Sequence, residues 1–501
     1  MTFGPLRAGL VAAFIGLGCG RGPSPVAAPD GEAKPADATP SEEVATPAAA
    51  EPEVAARSDA EAKPDVATPD AVATPDAEAA DARANALTWI EDDHVRAFAL
   101  AKAKGLPIFV DTWATWCHSC LALKAEVLTD PRLSRLADRF VWLSLDVEKP
   151  SAASFLARFP QPAYPTLWVL DKNGAAVLRW VGTLTAEQLE GLLDDALVAV
   201  SGEAVAGVTQ TMLTAEAAAA EGRTDDAIAA YRKTLELAPD DWPRRSRTAN
   251  ALMFVLSKAE RYEDALALAL AEVPKTRPGM AGRPDLVIGG IDAAVSLGEA
   301  AKDPRKKAAL VSFLDVAKTM VDDPSLLGDD RSGVWMAIVD ALGALGDEAG
   351  KKAASEAWAT FLDTIAGQAR SPEARAVFDS HRMSALLAVG RAEDALKMME
   401  QSERDFPKDY NPPARKANIL LQMGRVDDAL TAVKRALELA YGPRRLRVRM
   451  TEVAILEKKG DTEGVKAALT AALEEGKALP EEQRPAKLMA DIAKKLAPKA
   501  P

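Results

Sequence analysis

The stretch DTWATWCHSCLALK, residues 111–124, holds the closely spaced cysteine pair Cys117 and Cys120. The preceding residues, LPIFVDTW, indicate a short buried strand, and CHSCLALKAEVL returns to helical spacing. In a C-x-x-C at the start of a helix, the first sulfur lies near unpaired N–H groups and the positive end of the helix dipole. Because this position lowers a thiol pKa, and because the thiolate is the nucleophile, we predict that Cys117 attacks and Cys120 resolves.

Two other uses of the cysteine pair stay open. A mononuclear metal site needs more ligands than two thiolates, and His118 between them cannot easily turn back onto the same ion. A static disulfide is the second alternative, although the start of a helix is a reducible place for one. The chain has three cysteines, and Cys19 lies in a leader, so a disulfide framework or a four-thiolate zinc site is excluded within one chain. We predict a redox pair, with no metal and no cofactor.

Helical and strand patterns alternate over residues 87–201. DDHVRAFALAKAKG has helical periodicity and ends at Gly105, and FVWLSLDV indicates a second strand. Asp130-Pro131 is typical of a helix start, and TLWVLDKNGAAVLRWVG predicts a hairpin around Asn173-Gly174. TAEQLEGLLDDAL closes the region with a helix that Thr185 is predicted to cap. This order predicts an α/β domain with a central mixed sheet flanked by helices.

Several separated motifs of this region resemble the thioredoxin superfamily. They are VDTWATWCHSC, AYPT at residues 163–166, KNG, and Gly182, in that order. The phrase WCHSCLALKAEVLTDPRL is most similar to the C-terminal thioredoxin-like domain of bacterial membrane reductases that pass electrons to the periplasm. The resemblance covers roughly residues 87–200. It implies a thioredoxin fold and thiol:disulfide oxidoreductase activity on protein thiols or disulfides, with a redox donor or acceptor protein as a second partner.

The resemblance also implies roles for single residues. Asp111 would be the buried carboxylate that helps to deprotonate the resolving cysteine, although a strand-end acid bonded to a backbone amide is the alternative. Pro165 would be a cis proline that presents the backbone of Tyr164 to a substrate strand. The residues implied to contact substrate are Trp116, His118, Tyr164 and Thr166.

The sequence departs from thioredoxins at two places. The turn between the cysteines is His118-Ser119 instead of Gly-Pro, and Ser144 stands at the end of the second strand, where thioredoxins often have a lysine that pairs with the buried acid. Both changes affect how the cysteine pair and the buried acid gain and lose protons. We expect a protonated His118 to stabilise the Cys117 thiolate further, which would make the disulfide a better oxidant than that of thioredoxin.

The first residues, MTFGPLRAGLVAAFIGLGCG, predict export. Arg7 precedes an apolar run, Leu10–Leu17, that is too short to span a bilayer and fits a signal peptide over residues 1–19. Cys19 directly after GLG resembles the lipobox of bacterial lipoproteins, which implies a lipidated N-terminus; an ordinary secretory signal is the alternative. We therefore expect a place in the bacterial cell envelope, facing the periplasm, with membrane contact only through the lipid anchor.

Residues 20–86 are predicted to be a disordered linker. The segment consists largely of Ala, Pro, Asp and Glu and contains no Phe, Trp or Tyr, so it lacks the apolar surface that offsets the entropy of ordering. The whole chain has 61 basic and 74 acidic residues, a net charge of −13. Because phosphate binding needs a positive surface, nucleic acid is disfavoured as a partner.

Residues 202–501 show an internal repeat. GRAEDALKMMEQSERDFPKD begins at Gly390, GRVDDALTAVKRALELAYGP begins at Gly424, 34 residues later, and Gly460 follows after 36 more. This period resembles tetratricopeptide repeats and implies an all-α solenoid of helical hairpins. Small residues are predicted where helices approach closely: Ala227, Ala265, Ala395 and Ala429. Pro239 and Pro407 are predicted to end second helices. The stretch over residues 280–380 is helical but out of register.

Two functions of different classes fit this sequence. The first is an exported thiol:disulfide oxidoreductase whose solenoid binds a peptide or protein in its concave groove. The second is a protein-binding scaffold of the cell envelope whose thioredoxin-like domain is structural or inactive. A rigid spacer or oligomerisation scaffold is the plainest interpretation of the solenoid itself. The presence of both cysteines together with Pro165 and Asp111 favours the first function.

Overall fold

The computed structural model describes residues 87–161, 163–201, 207–280 and 282–497. The predicted signal peptide with Cys19 and the predicted linker over residues 20–86 lie outside this part of the chain. Within the described ranges, no helix has both the length and the apolar character that crossing a bilayer requires.

The first described region combines five strands with four α-helices. In chain order they are β1 Trp89–Glu91, α1 His94–Lys104, β2 Ile108–Trp113, α2 His118–Ala122, β3 Val141–Asp146, α3 Ala153–Arg158, β4 Thr166–Leu170, β5 Ala176–Val181 and α4 Ala186–Ser201. A π-helical turn, Leu123–Val127, continues α2, and 3₁₀ turns cover Pro131–Arg139 and Pro150–Ala152.

The strands form one mixed sheet in the order β1-β3-β2-β4-β5. β3 runs parallel to β1 and β2, whereas β4 runs antiparallel to β2 and β5. The predicted mixed α/β sheet is confirmed, and the predicted hairpin joins β4 to β5, with Gly174 at a φ of 80°. The short edge strand β1 was not predicted, because three residues are too few to show a period.

Side chains on the central strand β2 alternate between the two faces of the sheet. Ile108 and Val110 pack in a core with α1 and α3, whereas Phe109 packs on the opposite face in a core with α4. Asp111, two residues after Phe109, shares the α4 face and stands opposite Ser144 of β3. The strand therefore delivers a carboxyl group to the sheet edge from which the cysteine helix starts.

The second described region contains sixteen α-helices among the residues that the structure covers. They are α5 Val208–Ala220, α6 Thr224–Leu237, α7 Arg245–Lys258, α8 Tyr262–Glu272, α9 Arg283–Ser296, α10 Pro304–Lys318, α11 Gly328–Leu345, α12 Glu348–Gln368, α13 Pro372–Ala376, α14 Asp379–Ala388, α15 Ala392–Asp405, α16 Asn411–Gln422, α17 Val426–Leu439, α18 Arg444–Lys459, α19 Thr462–Ala478 and α20 Ala486–Leu496. Short 3₁₀ turns cover Val273–Lys275 and Glu481–Gln483.

The repeat glycines lie at the turns between paired helices. Gly390, Gly424 and Gly460 have φ values of 76°, 74° and 77°, a left-handed conformation that glycine adopts without strain. The alanines at the predicted close approaches are completely buried: Ala227, Ala265, Ala395 and Ala429. The predicted helical solenoid is confirmed, and the out-of-register stretch forms α9 to α13.

The cysteine helix packs into the core of the solenoid. Ala122 belongs to the same buried cluster as Trp358, Leu362 and Leu386, and Leu121 packs against that cluster. Burial of apolar surface of this kind stabilises contact in proportion to the area removed from water. The solenoid therefore lies on the face of the first region that carries the cysteines.

Candidate redox site

The two cysteines lie at the N-terminus of α2, shortly after β2 ends. They are joined by a disulfide, and neither is exposed to solvent. Cys117 is the N-cap residue, and its Sγ accepts a hydrogen bond from the backbone N–H of Cys120 over 3.2 Å. The first sulfur thus lies at the helix end where N–H groups lack helical acceptors, an environment that favours a thiolate when such a pair is reduced.

Asp111 is completely buried, and a lysine contacts it. Lys124 Nζ lies 3.4 Å from Asp111 Oδ2 and donates a hydrogen bond of 2.7 Å to the hydroxyl of Ser144. Burial raises the pKa of Asp111, and the Lys124 charge opposes part of that rise. Asp111 Oδ1 has no hydrogen-bond partner within the described ranges. A buried carboxyl group with a raised pKa can hold a proton, which is the role that the resemblance implies.

Lys124 is a residue that the sequence analysis missed. Ser144 stands opposite Asp111 inside β3 and supplies no positive charge, and the cation comes instead from the π-helical turn after α2. Its Nζ also lies 4.2 Å from the centroid of the Trp113 ring. Lys124 follows Cys120 by four residues, about one helical turn, and this spacing was the available signal.

The segment before β4 supplies the second wall of the site. The Tyr164–Pro165 peptide bond is cis, and the Tyr164 ring meets the Trp116 ring edge-on, with centroids 5.6 Å apart. Thr166 is buried, and its hydroxyl donates to the Ala163 carbonyl over 2.7 Å. Tyr164, Pro165 and Thr166 are therefore held beside the cysteine loop, as a substrate-binding role would require.

Trp116 is held by a buried acid from the loop after β3. Its Nε1 donates to Glu148 Oε1 over 3.0 Å, and the hydroxyl of Tyr410, a solenoid residue, donates to Glu148 Oε2 over 3.3 Å. The guanidinium of Arg444 lies 4.7 Å from the centroid of the Trp116 ring. Burial raises the pKa of Glu148 to about 7, while the hydrogen bond from Trp116 and the Arg444 charge act in the opposite direction.

His118 contacts the solenoid instead of solvent. Its Nδ1 lies 2.8 Å from Asp329 Oδ1, and its ring lies against that of His381, with centroids 4.0 Å apart and planes inclined by 51°. His381 Nδ1 lies 2.7 Å from the hydroxyl of Ser332, which also accepts a hydrogen bond from Trp358 Nε1 over 2.9 Å. A hydrogen-bonded cluster therefore links the cysteine loop to α11, α12 and α14.

The electrostatics of this cluster favour a neutral His381 and an ionised Asp329. Burial, followed by the charge of His118, lowers the pKa of His381 to about 3, so His381 is neutral at physiological pH. Burial by itself would raise the pKa of Asp329, but the charge and hydrogen bond of His118 outweigh burial and leave it below its usual value. Asp329 is therefore an anion that faces the histidine of the cysteine loop.

Among the described residues, these three side chains form the group that could hold a metal ion. His118, Asp329 and His381 each offer one ligand atom, and these atoms lie within 4.8 Å of one another. Two histidines that ligate one zinc ion have ring centroids about 5 Å apart, given Zn–N distances of about 2.0–2.1 Å. The observed separation of the two ring centroids, 4.0 Å, is shorter than that. The arrangement fits a hydrogen-bonded chain better than a metal site.

Further contacts close the rim of the site. Asn411 Nδ2 donates to Thr115 Oγ1 over 3.2 Å, and the hydroxyl of Tyr441 donates to Asp146 Oδ2. Gln483 Nε2 donates to the carbonyl groups of Val147 and Lys149. The sequence analysis expected Trp116 and His118 to face a substrate. In the structure both face the solenoid, so substrate contact by these two residues stays a prediction.

A C-x-x-C disulfide at the start of a helix, on a mixed sheet and beside a cis proline, defines a thioredoxin-like domain. The family model described as thioredoxin-like matches residues 89–172, and a tetratricopeptide repeat model matches residues 386–449. A thioredoxin of Mycolicibacterium smegmatis is 32% identical over 113 residues, which are 23% of this chain and 96% of that protein. The chain therefore belongs to the thioredoxin-like family and carries tetratricopeptide repeats behind that domain.

The other similar proteins, like that thioredoxin, match only part of this chain. The thiol:disulfide interchange protein DsbD of Cronobacter sakazakii is 36% identical over 78 residues, which are 15% of this chain and 14% of DsbD. The chain thus spans about a seventh of the length of that relative. A solved tetratricopeptide repeat protein from Parabacteroides merdae covers 57% of this chain and 98% of its own, with 10% identity and a TM-score of 0.38.

Proposed function

We propose that this protein is an exported thiol:disulfide oxidoreductase that exchanges disulfides with protein clients through Cys117 and Cys120. The observation that carries the proposal is the position of the disulfide at the N-terminus of α2, with the Sγ of Cys117 accepting a backbone N–H. Asp111 lies in β2, shortly before the cysteine loop, and Pro165 immediately precedes β4. The name of the DsbD relative supports the same class of chemistry.

The exchange balances as two thiolate displacements. In the oxidised state, a client thiolate attacks Cys117 Sγ, a mixed disulfide forms, and Cys120 leaves as a thiolate. A second client thiolate then attacks the client sulfur of the mixed disulfide and releases Cys117. Two electrons pass from the client dithiol to the pair. The reverse sequence oxidises the pair, and the potential of the partner pool sets the direction.

Access to the pair requires movement of the solenoid. Both cysteines are buried, and the solenoid residues Asp329, Asn411 and Arg444 contact the loop that carries them. We propose that a client bound by the repeats separates the two regions and then reaches Cys117. Protein binding is the usual role of tetratricopeptide arrays, which supports this part of the proposal.

A trapping experiment tests the activity. A Cys120→Ser variant of the full chain is expected to retain clients as mixed disulfides through Cys117, which non-reducing gels and mass spectrometry would detect. The matched control is the variant with both Cys117→Ser and Cys120→Ser. Insulin reduction by the wild type is expected to exceed that of Cys117→Ser. Equal rates, with no trapped protein, would contradict the proposal.

The burial of the pair favours a second candidate function. In this alternative, the disulfide is a static staple, and the thioredoxin-like domain is a structural end of a protein-binding scaffold. The disulfide would then resist millimolar glutathione in the folded chain and yield only after denaturation. Reduction of the folded wild-type chain by a glutathione buffer, followed by mass spectrometry after alkylation, separates the two functions.

Export and lipidation are also part of the proposal. They are supported by the signal-like run before Cys19 and by the lipobox resemblance. Expression in a bacterial host with a labelled fatty acid is expected to label the wild type and to leave Cys19→Ser unlabelled. Equal labelling of both proteins, or recovery of both in the cytoplasm, would contradict this part.

A further inference from the structure

Three arginines of the solenoid, here called the arginine cluster, lie beside the cysteine loop: Arg415, Arg444 and Arg447. Arg444 is the first residue of α18, and its guanidinium lies 4.7 Å from the centroid of the Trp116 ring. Trp116 packs against the buried cluster that contains the two cysteines. Arg447 follows one turn later on α18, and Arg415 lies on α16, which packs against α18. The cluster therefore places positive charge next to the redox site.

The positive charge of the arginine cluster is not used inside the solenoid. None of its members forms an ion pair with a described residue, whereas the neighbouring Arg445 and Arg449 both pair with Glu475. Burial lowers the pKa of Arg444, and the like charges of the other two arginines act in the same direction. Arg447 is exposed to solvent. A carboxylate that approached from outside would thus gain attraction without breaking an existing ion pair.

Three acids of the protein act on the cluster from a distance. Glu148 is affected by the charge of Arg444, but it accepts hydrogen bonds from two aromatic side chains. Asp379 and Asp409 are affected by the charge of Arg415. Burial raises the pKa of each of the three acids, and the arginine charge opposes that rise. These acids reduce the positive potential of the cluster without pairing with it.

We propose that the arginine cluster binds acidic side chains that flank the reacting cysteine of a client protein; this inference rests on the exchange activity proposed above and names its substrate class. A guanidinium can bind a carboxylate through two parallel hydrogen bonds, and arginine clusters are a recurrent means of recognising acidic segments. Because Trp116 directly precedes Cys117, a carboxylate at Arg444 lies close to the sulfur that the client has to reach.

Charge complementarity favours an acidic client over a basic or neutral one. The whole chain has a net charge of −13, which repels acidic proteins in general, and the arginine cluster provides a local exception at the redox site. A client carboxylate at Arg444 would also compete with Glu148 of the thioredoxin-like domain for the same positive charge. Binding of the client would therefore weaken one of the interactions that hold the solenoid against the cysteine loop.

Two synthetic dithiol peptides that differ only in charge test the proposal. In the first, Asp and Glu flank the two cysteines, and in the second Asn and Gln replace them. The rate at which each peptide reduces the disulfide of the full chain is measured by alkylation and mass spectrometry. The rate with hydroxyethyl disulfide, a neutral reference, corrects for the intrinsic reactivity of the peptide thiols. The acidic peptide is then expected to react about tenfold faster, as two or three exposed ion pairs would produce, and added salt should reduce the difference.

Substitutions in the cluster should weaken this preference. Arg447→Gln is expected to slow the acidic peptide about threefold, the effect of one exposed ion pair, and to leave the neutral peptide unchanged. Arg447→Glu should slow the acidic peptide further. Arg435→Gln is the matched control, because Arg435 is another exposed arginine of the solenoid, which pairs with Glu438, and its loss changes the net charge equally. The control should keep the preference of the wild type.

Three results would overturn the proposal. The first is equal corrected rates of the two peptides with the wild type at low salt. The second is a preference that Arg435→Gln weakens as much as Arg447→Gln does, which would assign it to net charge alone. The third is a preference that appears only when Asn and Gln replace Asp and Glu within residues 20–86, which would assign the cluster to the chain's own acidic segment. A wild type that reacts with neither peptide would instead remove the proposed exchange activity, so the two failures are distinguishable.

Discussion

Two acid–base pairs flank the cysteine helix, and they are built in different ways. Asp111 and Lys124 are 13 residues apart and meet inside the thioredoxin-like domain, at 3.4 Å. His118 and Asp329 are 211 residues apart and meet only where the solenoid contacts the domain, at 2.8 Å. The first pair depends on one strand and the helix that follows it. The second exists only where the solenoid contacts the domain, so it depends on that contact, whereas the first does not.

The largest effect is expected from a substitution that separates the two regions. Gly442 has a φ of 58°, and a Cβ at this position would overlap the carbonyl oxygen of Glu148. We expect Gly442→Ala to lift the C-terminal helices from the domain. After reduction, alkylation of Cys117 should accelerate by roughly a thousandfold, which corresponds to about 4 kcal/mol of lost docking energy.

Gly424→Ala is the matched control for this experiment. Gly424 has a φ of 74°, but a Cβ there meets no atom within 4 Å. The control therefore carries the same kind of backbone strain without the collision. Equal alkylation rates in the two variants would show that Gly442 does not report on docking.

The second prediction concerns the pH dependence of docking. The pKa of Glu148 is raised from 4.5 to about 7 by burial, so between these pH values the docked state keeps a proton that the open state releases. Docking is therefore expected to be strongest below about pH 4.5 and to weaken by up to roughly 3 kcal/mol in total as the pH rises to about 7. Above that pH it should stay level.

Glu148→Gln should remove the part of this pH dependence that Glu148 contributes. The measurement is the difference between the urea midpoints of the wild type and the variant from pH 4.5 to pH 8. Burial also raises the pKa of Asp146 and of solenoid acids such as Asp285, so a slope of the same sign should persist in the variant. An unchanged slope would mean that Glu148 ionises normally in the docked protein.

The third prediction breaks the local pair and leaves the cross-domain pair intact. Lys124→Met removes the cation near the completely buried Asp111 and is expected to destabilise the thioredoxin-like domain by about 2 kcal/mol. Adding Asp111→Asn should restore part of the loss, because the unpaired buried carboxylate is then gone. Urea unfolding followed by tryptophan fluorescence would measure both, and a double variant as unstable as the single one would argue against the pairing.

The smallest effect is expected at the rim of the interface. Asn411→Ala removes the hydrogen bond to Thr115 and should weaken docking by about 1 kcal/mol, since Asn411 is nearly buried. A double-mutant cycle with Thr115→Ala, read by the alkylation rate of Cys117, isolates the pair. Strict additivity of the two single effects would mean that the hydrogen bond contributes nothing to docking.

Much of the local architecture could be predicted from short patterns. Hydrophobic periodicity and turn-forming residues, both read within a few positions, predict three features. They are the buried strand before Cys117, the hairpin at Gly174 and the helix end at Gly105. The regular repeats at Gly390 and Gly424 were visible for the same reason. By contrast, the helices over residues 280–380 lack the repeat signature, so their presence was predicted but their register was not.

The residues of the candidate site show the same difference between local and long-range information. Cys117 and Cys120 could be identified from their spacing at a helix start, whereas Asp111 and Pro165 were implied by separate motifs that resemble the thioredoxin superfamily. Asp329 stands in no such motif, and nothing near it in the sequence indicates contact with a residue 211 positions earlier. Its partner His118 was expected to face a substrate, whereas the structure places the ring against His381.

The sequence by itself determined the class of each region, because strand alternation, helical period and the cysteine spacing are local properties of the chain. Only the tertiary structure decided that the solenoid covers the cysteine loop and adds Asp329 to it. The physical reason is that docking depends on shape and charge complementarity between surfaces assembled from distant segments, and the sum of such contacts leaves no periodic trace in the order of residues.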